Sequence, residues 1–320
     1  MGLGESAPSD HLNQGAPMQL TTLGVFRRYE ELRPRLPKMP ATVGTRRVGG
    51  LLEIASDFDL FIFDAFGVLV LGDTPIDGAP TVVAALKKMG KKVIILTNAA
   101  TQDAAAQFGK YSRLGFPFAR EEVVSSRSIL EASIPDFPDV RNWGAILPPG
   151  GSLAGLPEGA ATLSDNPDRF WQAEGYLFLS SKSWTTDCQR RLIDRLAERP
   201  ATVLVGNPDL VAPREYGLSL EPGYFAHDIL DQVDCDVRFF GKPFANAFTT
   251  AIERVEAACG AIAPSRVAMV GDTLHTDILG GAEAGLCTIL VTDHGVLKGQ
   301  DVDSLIEASG IRPDIIVPSI

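Results

Sequence analysis

Asp64 closes the apolar run Leu60-Phe61-Ile62-Phe63 and is followed closely by Gly67-Val68-Leu69. An acid at the tip of a buried strand, ahead of a glycine turn, is where an α/β sheet presents a nucleophile or a metal ligand. Beside a divalent ion such a carboxylate stays ionised, because the cation offsets its desolvation. The plainer reading is an Asp that caps the turn after the strand. Gly67 suits a loop whose backbone N–H comes close to an anion.

Three further segments carry chemistry. Thr97-Asn98 follows Val93-Ile94-Ile95-Leu96, and a hydroxyl with adjacent backbone N–H groups makes an anion site without added charge. The same residues would also serve as an N-cap for the next helix. Lys242 sits in Gly241-Lys242-Pro243, where its neighbours fix the backbone and aim the ammonium for charge neutralisation; a surface lysine is the alternative. Gly271-Asp272-Thr273-Leu274-His275-Thr276-Asp277 supplies two carboxylates about one helical turn apart. With Asp64 they form an oxygen-rich set suited to Mg²⁺, although Asp277 alone would also cap a helix.

These groups need elements that bring them together. Apolar strand-like runs cover Leu60–Asp64, Lys92–Thr97, Val237–Gly241, Val267–Gly271 and Thr288–Val291. Helical patterns fill the gaps at Gly78–Met89, Asp103–Leu114, Phe244–Ala258, Thr276–Ala284 and Val302–Ala308. This alternation predicts an α/β fold, a doubly wound parallel sheet with helices on both faces. Polar groups at the carboxyl ends of neighbouring parallel strands converge on one crevice.

Spacing predicts a second domain. Asp64 and Thr97 are 33 residues apart and Lys242 and Asp272 are 30 apart, one strand–helix–strand unit each. Thr97 and Lys242 are 145 apart, far more than one crossover needs. Removing a helix and a strand near Val123-Val124 leaves roughly 90–100 residues, the size of a small domain. The expected layout is an N-terminal extension over 1–50, a core over 51–142 and 237–320, and an inserted α/β domain over 143–236. That insert carries strand candidates Gly144–Leu147, Tyr176–Leu179 and Thr202–Val205, with helix candidates Thr185–Arg199 and Tyr224–Val233. Its tryptophans, Trp143, Trp171 and Trp184, suit either a packed core or a ring-stacking platform.

Composition bounds the function. A net charge of −11 over 320 residues opposes a general nucleic-acid or anionic-membrane surface. It also requires local positive groups if the substrate is a phosphate ester. No run reaches the roughly 18 apolar residues of a membrane span. Cys188, Cys235, Cys259 and Cys287 show no metal-like spacing and read as reduced thiols of a cytoplasmic protein. Met1–Ser6 match a minimal myristoylation pattern, against the plainer reading of a loose terminus over the first 20 residues or so. Seven basic residues against Glu30 and Glu31 between Arg27 and Arg47 suggest a solvated docking arm, with a short helix from Phe26 to Leu32 stopped at Pro34.

In order, Asp64 with Gly67, Thr97-Asn98, Lys242, then Asp272 and Asp277 resemble the motifs of the haloacid dehalogenase (HAD) superfamily of phosphohydrolases. Leu96-Thr97-Asn98, Gly206-Asn207-Pro208-Asp209 and the run from Gly271 into Ile278-Leu279-Gly280-Gly281 resemble its class IIA, 4-nitrophenylphosphatase-like (NagD-like) branch. In that branch an α/β cap is inserted between the second and third motifs. The resemblance covers about 55–310. It implies that Asp64 forms an aspartyl-phosphate from a small phosphorylated metabolite. It implies that Mg²⁺ is held by Asp64, the carbonyl of Phe66, Asp272 and, through water, Asp277. It further implies that Thr97, the backbone around Asn98 and Lys242 bind the phosphoryl oxygens, that Asn207 and Asp209 face the leaving group, and that members often pair as homodimers through their caps.

Phe66 departs from the pattern. Typical members place there an aspartate that protonates the leaving oxygen and then activates water, which phenylalanine cannot do. Loss of such a group costs typically 10²–10⁴-fold, about 3–5 kcal/mol of barrier. His275, Asp73 and His227 are the nearest candidates to substitute, with His275 favoured by its place between Asp272 and Asp277. A phospho-ligand-binding protein without turnover is the second reading. A metal-independent dehalogenase, which also carries an aromatic at that position, is the third; the paired Asp272 and Asp277 and the absence of room for a cap after the first motif oppose it.

Overall fold

The strand Leu60–Phe63 has no exposed side chain and pairs in parallel with Lys92–Thr97 on one side and Val267–Gly271 on the other. A strand buried on both faces must be apolar throughout, which explains the unbroken run before Asp64. The computed structural model describes residues 21–41, 44–214 and 217–320; the Met1–Ser6 pattern and the first 20 residues lie outside them. The larger sheet has seven parallel strands in the order Arg46–Arg47, Ile315–Val317, Cys287–Val291, Val267–Gly271, Leu60–Phe63, Lys92–Thr97, Val123–Ser125. Helices Ala79–Lys88, Ala104–Arg113, Ala245–Cys259 and Val302–Ser309 fall close to their expected limits.

The smaller sheet has five parallel strands in the order Val237–Phe239, Thr202–Val205, Gly175–Phe178, Trp143–Ile146, Ala161–Thr162. Val237–Phe239 therefore differs from expectation. Its apolar pattern predicts a strand of the core, yet it pairs with Thr202–Val205 as an edge of the second sheet. Pattern specifies a strand but not its partner, and only the loop after it, carrying Lys242, returns to the core. Arg127, with no exposed side-chain surface, ties the two parts together. It donates to the carbonyls of Ser152 and Ala154 in the insert and of Ala100 in the core, and it pairs with Glu131. Trp143 and Trp184 pack inside hydrophobic cores, and Trp184 also borders a cavity with Ile146, Leu147 and Ser180.

The basic N-terminal arm is docked. Helix Thr22–Glu31 turns Val25 and Tyr29 inward, and Leu32 and Leu36 follow, against Leu274, Ile278, Leu279 and Leu210. Its charges are mostly paired: Arg28 with Glu31 and Asp231, Arg33 with Glu30, and Arg35 with Asp231. Among the described residues no helix is long and apolar enough to cross a membrane.

Candidate active site

Parallel register brings the motifs together. Phe63 is level with Ile95 and Val270, and the Asp64 N–H donates to the Val270 carbonyl at 2.9 Å. Asp64 and Asp272 therefore leave adjacent strand ends, with Thr97 at the end of the next strand. After Asp64 the chain folds back at once: Leu69 and Val70 N–H groups donate to the Ala65 carbonyl, and Gly67 N–H to that of Val70. Gly67 has φ +80° there, and a Cβ on it would lie 2.4 Å from Asp272 Oδ2. Both the turn and the close approach require glycine.

The segment expected as one helix over Thr276–Ala284 begins with a widened turn at Leu274–Ile278, in which the Ile278 N–H reaches the Thr273 carbonyl. Such π turns recur at functional sites because they redirect side chains. Here the turn folds Asp277 back, so that its Oδ2 accepts from the Asp272 and Thr273 N–H groups at 3.1 Å each. Asp277 is thus a cap and a site residue at once. Its other oxygen, Oδ1, lies 2.7 Å from Lys242 Nζ, and Lys242 Nζ lies 2.5 Å from Asp64 Oδ1. Lys242 and Asp277 are buried, and Asp64 retains 14% side-chain exposure toward the cavity.

Oxygens of Asp64, Asp272 and Asp277 lie within 4.8 Å of one another. Three carboxylates against one ammonium leave two negative charges uncompensated in a buried site, which is unfavourable without a further cation. Burial and the neighbouring Asp277 lift the Asp64 carboxyl to about 6 despite Lys242, and burial with Asp277 and Asp64 lifts Asp272 well above the usual range. Burial alone would depress the Lys242 ammonium, but Asp277, Asp64 and Asp209 outweigh it and raise its pKa. Asp277 Oδ1 is buried and has no directed hydrogen bond, only the charge of Lys242. An all-oxygen donor set with two surplus negative charges fits a hard divalent cation.

Asn98 is committed to positioning. Its Oδ1 accepts from the Lys242 N–H and from Ser126 Oγ, and its Nδ2 donates to Asp209 Oδ1 and to the Lys242 carbonyl. Its side chain therefore has no donor left for a phosphoryl group. Asp209 enters the cavity from the second domain, whereas Asn207 does not line it; Asn207 donates to Glu221 and accepts the Asp209 N–H. Asn207 thus holds the loop on which Asp209 sits instead of facing a leaving group. The cavity, about 30 Å³, is lined on the core side by Asp64, Phe66, Thr97, Asn98 and Asp272.

None of the three expected substitutes for the missing acid lines that cavity. His275 is buried, bonds Glu30 through Nε2 and stacks on Tyr29 at 4.7 Å; burial lowers its pKa. His227 stacks on Phe239, and burial lowers its pKa to about 4. The Asp73 side chain is 92% exposed and pairs with Lys110. Phe66 itself lies between two cations, Lys110 Nζ at 4.8 Å and Arg214 at 5.3 Å from its ring centroid. Sequence reasoning missed Ser126, Tyr29, and the Gly295-Val296 turn, whose Val296 N–H holds Asp272 Oδ2 at 2.8 Å. Gly295-Val296 carried a readable signal, a glycine soon after the strand Cys287–Val291; Tyr29 carried none.

Asp209 gives a test of these electrostatics. Burial, then the charges of Asp64 and Asp277, lift its carboxyl to about 8 against the pull of Lys242 and Asn98. A raised folded-state value means that the folded protein holds this proton more tightly than the unfolded chain does. The stabilising contribution is complete below the unfolded value and is lost as pH climbs to about 8. Asp209→Asn keeps the acceptor for Asn98 and removes that loss. In chelator, its Tm advantage over wild type should grow from pH 4 to pH 8, to on the order of 5 °C, and then level off. A pH-independent difference in thermal melts would contradict the assignment.

The comparisons agree with this arrangement. The model of haloacid dehalogenase-like hydrolases matches residues 61–142, and the HAD-hydrolase-like model matches 239–320. The interval between the two matches holds the five-stranded sheet. Glycerol-3-phosphate phosphatase of Gallus gallus is 29% identical over 311 residues, spanning 88% of this chain and 97% of that protein. Acid sugar phosphatase of Staphylococcus aureus (strain USA300) is 25% identical over 250 residues, spanning 77% and 91%. A structure from Cytophaga hutchinsonii described as a possible sugar phosphatase superposes with a TM-score of 0.75 at 24% identity, covering 86% of this chain and 98% of that one, which speaks for the fold. With two family matches framing an inserted α/β domain, and with the motif carboxylates and lysine gathered at one strand-end crevice, the chain belongs to the haloacid dehalogenase-like hydrolases.

Proposed function

We propose that this chain is a Mg²⁺-dependent phosphatase that hydrolyses a small phosphomonoester through an aspartyl-phosphate on Asp64. The observation that carries the reading is Asp64 itself. It opens to the cavity with 14% of its side chain exposed, while Lys242 holds its Oδ1 at 2.5 Å from within. One oxygen is fixed and the other is left to attack, an arrangement that positions a nucleophile rather than a cap.

The Asp64 oxygen forms a bond to phosphorus as the ester P–O bond breaks, and the leaving oxygen departs with the electron pair. Lys242 neutralises charge on Asp64 as the phosphoryl group approaches, and Thr97 supports its oxygens from the adjacent strand end. Asp209 lies inside the cavity, where burial favours its protonated form, and is placed to offer a hydrogen bond toward the leaving oxygen. Water then releases phosphate from Asp64. Mg²⁺ bound by Asp64, Asp272 and Asp277, with the Phe66 carbonyl completing the set, would neutralise phosphoryl charge. The two charges it brings are those the carboxylate cluster lacks. Glycerol-3-phosphate and sugar phosphatases among the relatives, together with the small cavity, support a small phosphorylated metabolite as substrate.

The test is phosphate release from 4-nitrophenyl phosphate with Mg²⁺ and with chelator. That ester has an acidic leaving group, so the absence of a strong general acid at residue 66 matters least there. Turnover that depends on Mg²⁺ is expected. Tight phosphate binding without turnover would instead support the non-hydrolytic reading that Phe66 favours.

A further inference from the structure

The N-terminal helix Thr22–Glu31 belongs to neither sheet, yet it touches the turn that carries Asp277, the loop after Asp209 and the inserted domain. At its start, Thr22 Oγ1 donates to the carbonyl of Val296, whose N–H holds Asp272. Near its end, Glu30 bonds His275 in the turn between Asp272 and Asp277, and the Tyr29 ring lies flat on that imidazole, 4.7 Å away and 7° from parallel. Across the cavity the Tyr29 hydroxyl accepts the Leu210 N–H at 3.1 Å, one residue after Asp209. Arg28 and Arg35 both pair with Asp231 on the inserted domain's helix Pro222–Gln232. The helix is therefore strapped to the metal-binding turn and to the cap at the same time.

Tyr29 is 4% exposed and lines the cavity together with Val211, Ala212 and Pro213 of the cap. Its ring is held on one face by His275 and at its tip by Leu210, so it has no room to swing aside when a ligand enters. A side chain fixed at both ends acts as a wall rather than an adaptable contact. We propose that Tyr29 is a specificity-determining residue whose ring closes the leaving-group side of the cavity and restricts the substrate to a small leaving group. The inference rests on the phosphatase reading for the word substrate, but the steric wall it describes applies equally to a bound, unreacted ligand. Burial, with the charge of Asp209 next, keeps the phenol neutral by raising its pKa well above the ordinary range. Tyr29 thus limits size without adding charge.

The test uses phenylphosphonate and 1-naphthylphosphonate with Mg²⁺, two non-hydrolysable ligands that differ in bulk and share the anionic group. Calorimetry on the full chain should show wild type binding the phenyl compound and discriminating against the naphthyl one. Tyr29→Leu should narrow the ratio of the two Kd values by about tenfold or more, the scale on which pocket volume discriminates between ligands. Tyr29→Phe, which keeps the ring, should retain the wild-type ratio. The corresponding phosphate esters should show the same narrowing in the ratio of their KM values. An unchanged ratio in folded Tyr29→Leu overturns the proposal, as does equal weakening of both ligands or equal affinity of wild type for both. Binding of the phosphonates without turnover of any ester would overturn the phosphatase reading alone, because the ratio still decides the role of Tyr29. Binding of neither phosphonate overturns both.

Discussion

Asp64→Asn is expected to abolish Mg²⁺-dependent phosphate release, with a fall of more than about 10⁴-fold, or about 5.5 kcal/mol of barrier. Asparagine matches the size of the side chain and keeps an acceptor toward Lys242, but its amide oxygen is a poor nucleophile. The fold should survive, because Lys242 retains Asp277 as its charge partner at 2.7 Å. Intact-mass measurement after acid quenching sharpens the result: wild type should carry a phosphoryl increment during turnover and the variant none. Turnover within tenfold of wild type in a folded Asp64→Asn would place the chemistry elsewhere.

Phe66→Asp should raise turnover of alkyl phosphomonoesters by about 10²-fold, the lower end of what a general acid–base group contributes. Two features of the site set that lower end. Asp209 already presents in the cavity a carboxyl whose protonated form burial favours. Lys110 and Arg214, which now flank the aromatic ring, would favour the ionised form of a carboxylate placed between them and weaken it as an acid. 4-Nitrophenyl phosphate, with its acidic leaving group, should gain far less, so the ratio of alkyl to aryl rates is the diagnostic quantity. Equal gains on both esters would point to altered packing or binding rather than restored proton transfer.

Much of this site was legible in one dimension. Asp64, Thr97 and Asp272 each end an apolar run, and an apolar run buried on both faces must end where the sheet ends. Parallel strands of similar length then bring those ends together, so the convergence followed from pattern alone. Lys242 was found through its glycine and proline neighbours, and the insert through an interval too long for one crossover. Asn98 and Asn207 were identified as residues, but their roles were not. Each spends its side chain on holding other site residues, and a saturated amide reads no differently in sequence from a free one.

The assignments that needed coordinates depended on contacts between distant stretches of chain. Val237–Phe239 reads as a strand wherever it pairs, and the choice of the second sheet is made by the neighbouring edge at Thr202–Val205. His275 lies between two metal-ligand candidates in sequence, but the helical turn points it away from the cavity and under Tyr29. Tyr29 itself stands 35 residues before Asp64, in a segment that reads as a solvated docking arm with a short helix and no site residue. Amino-acid order thus determined the strand ends, the carboxylates and lysine placed on and between them, and the α/β class, because burial and chain reach are local constraints. Tertiary structure decided which side chains face the cavity and which hold its walls, because a side chain's direction depends on partners that the linear order does not place beside it.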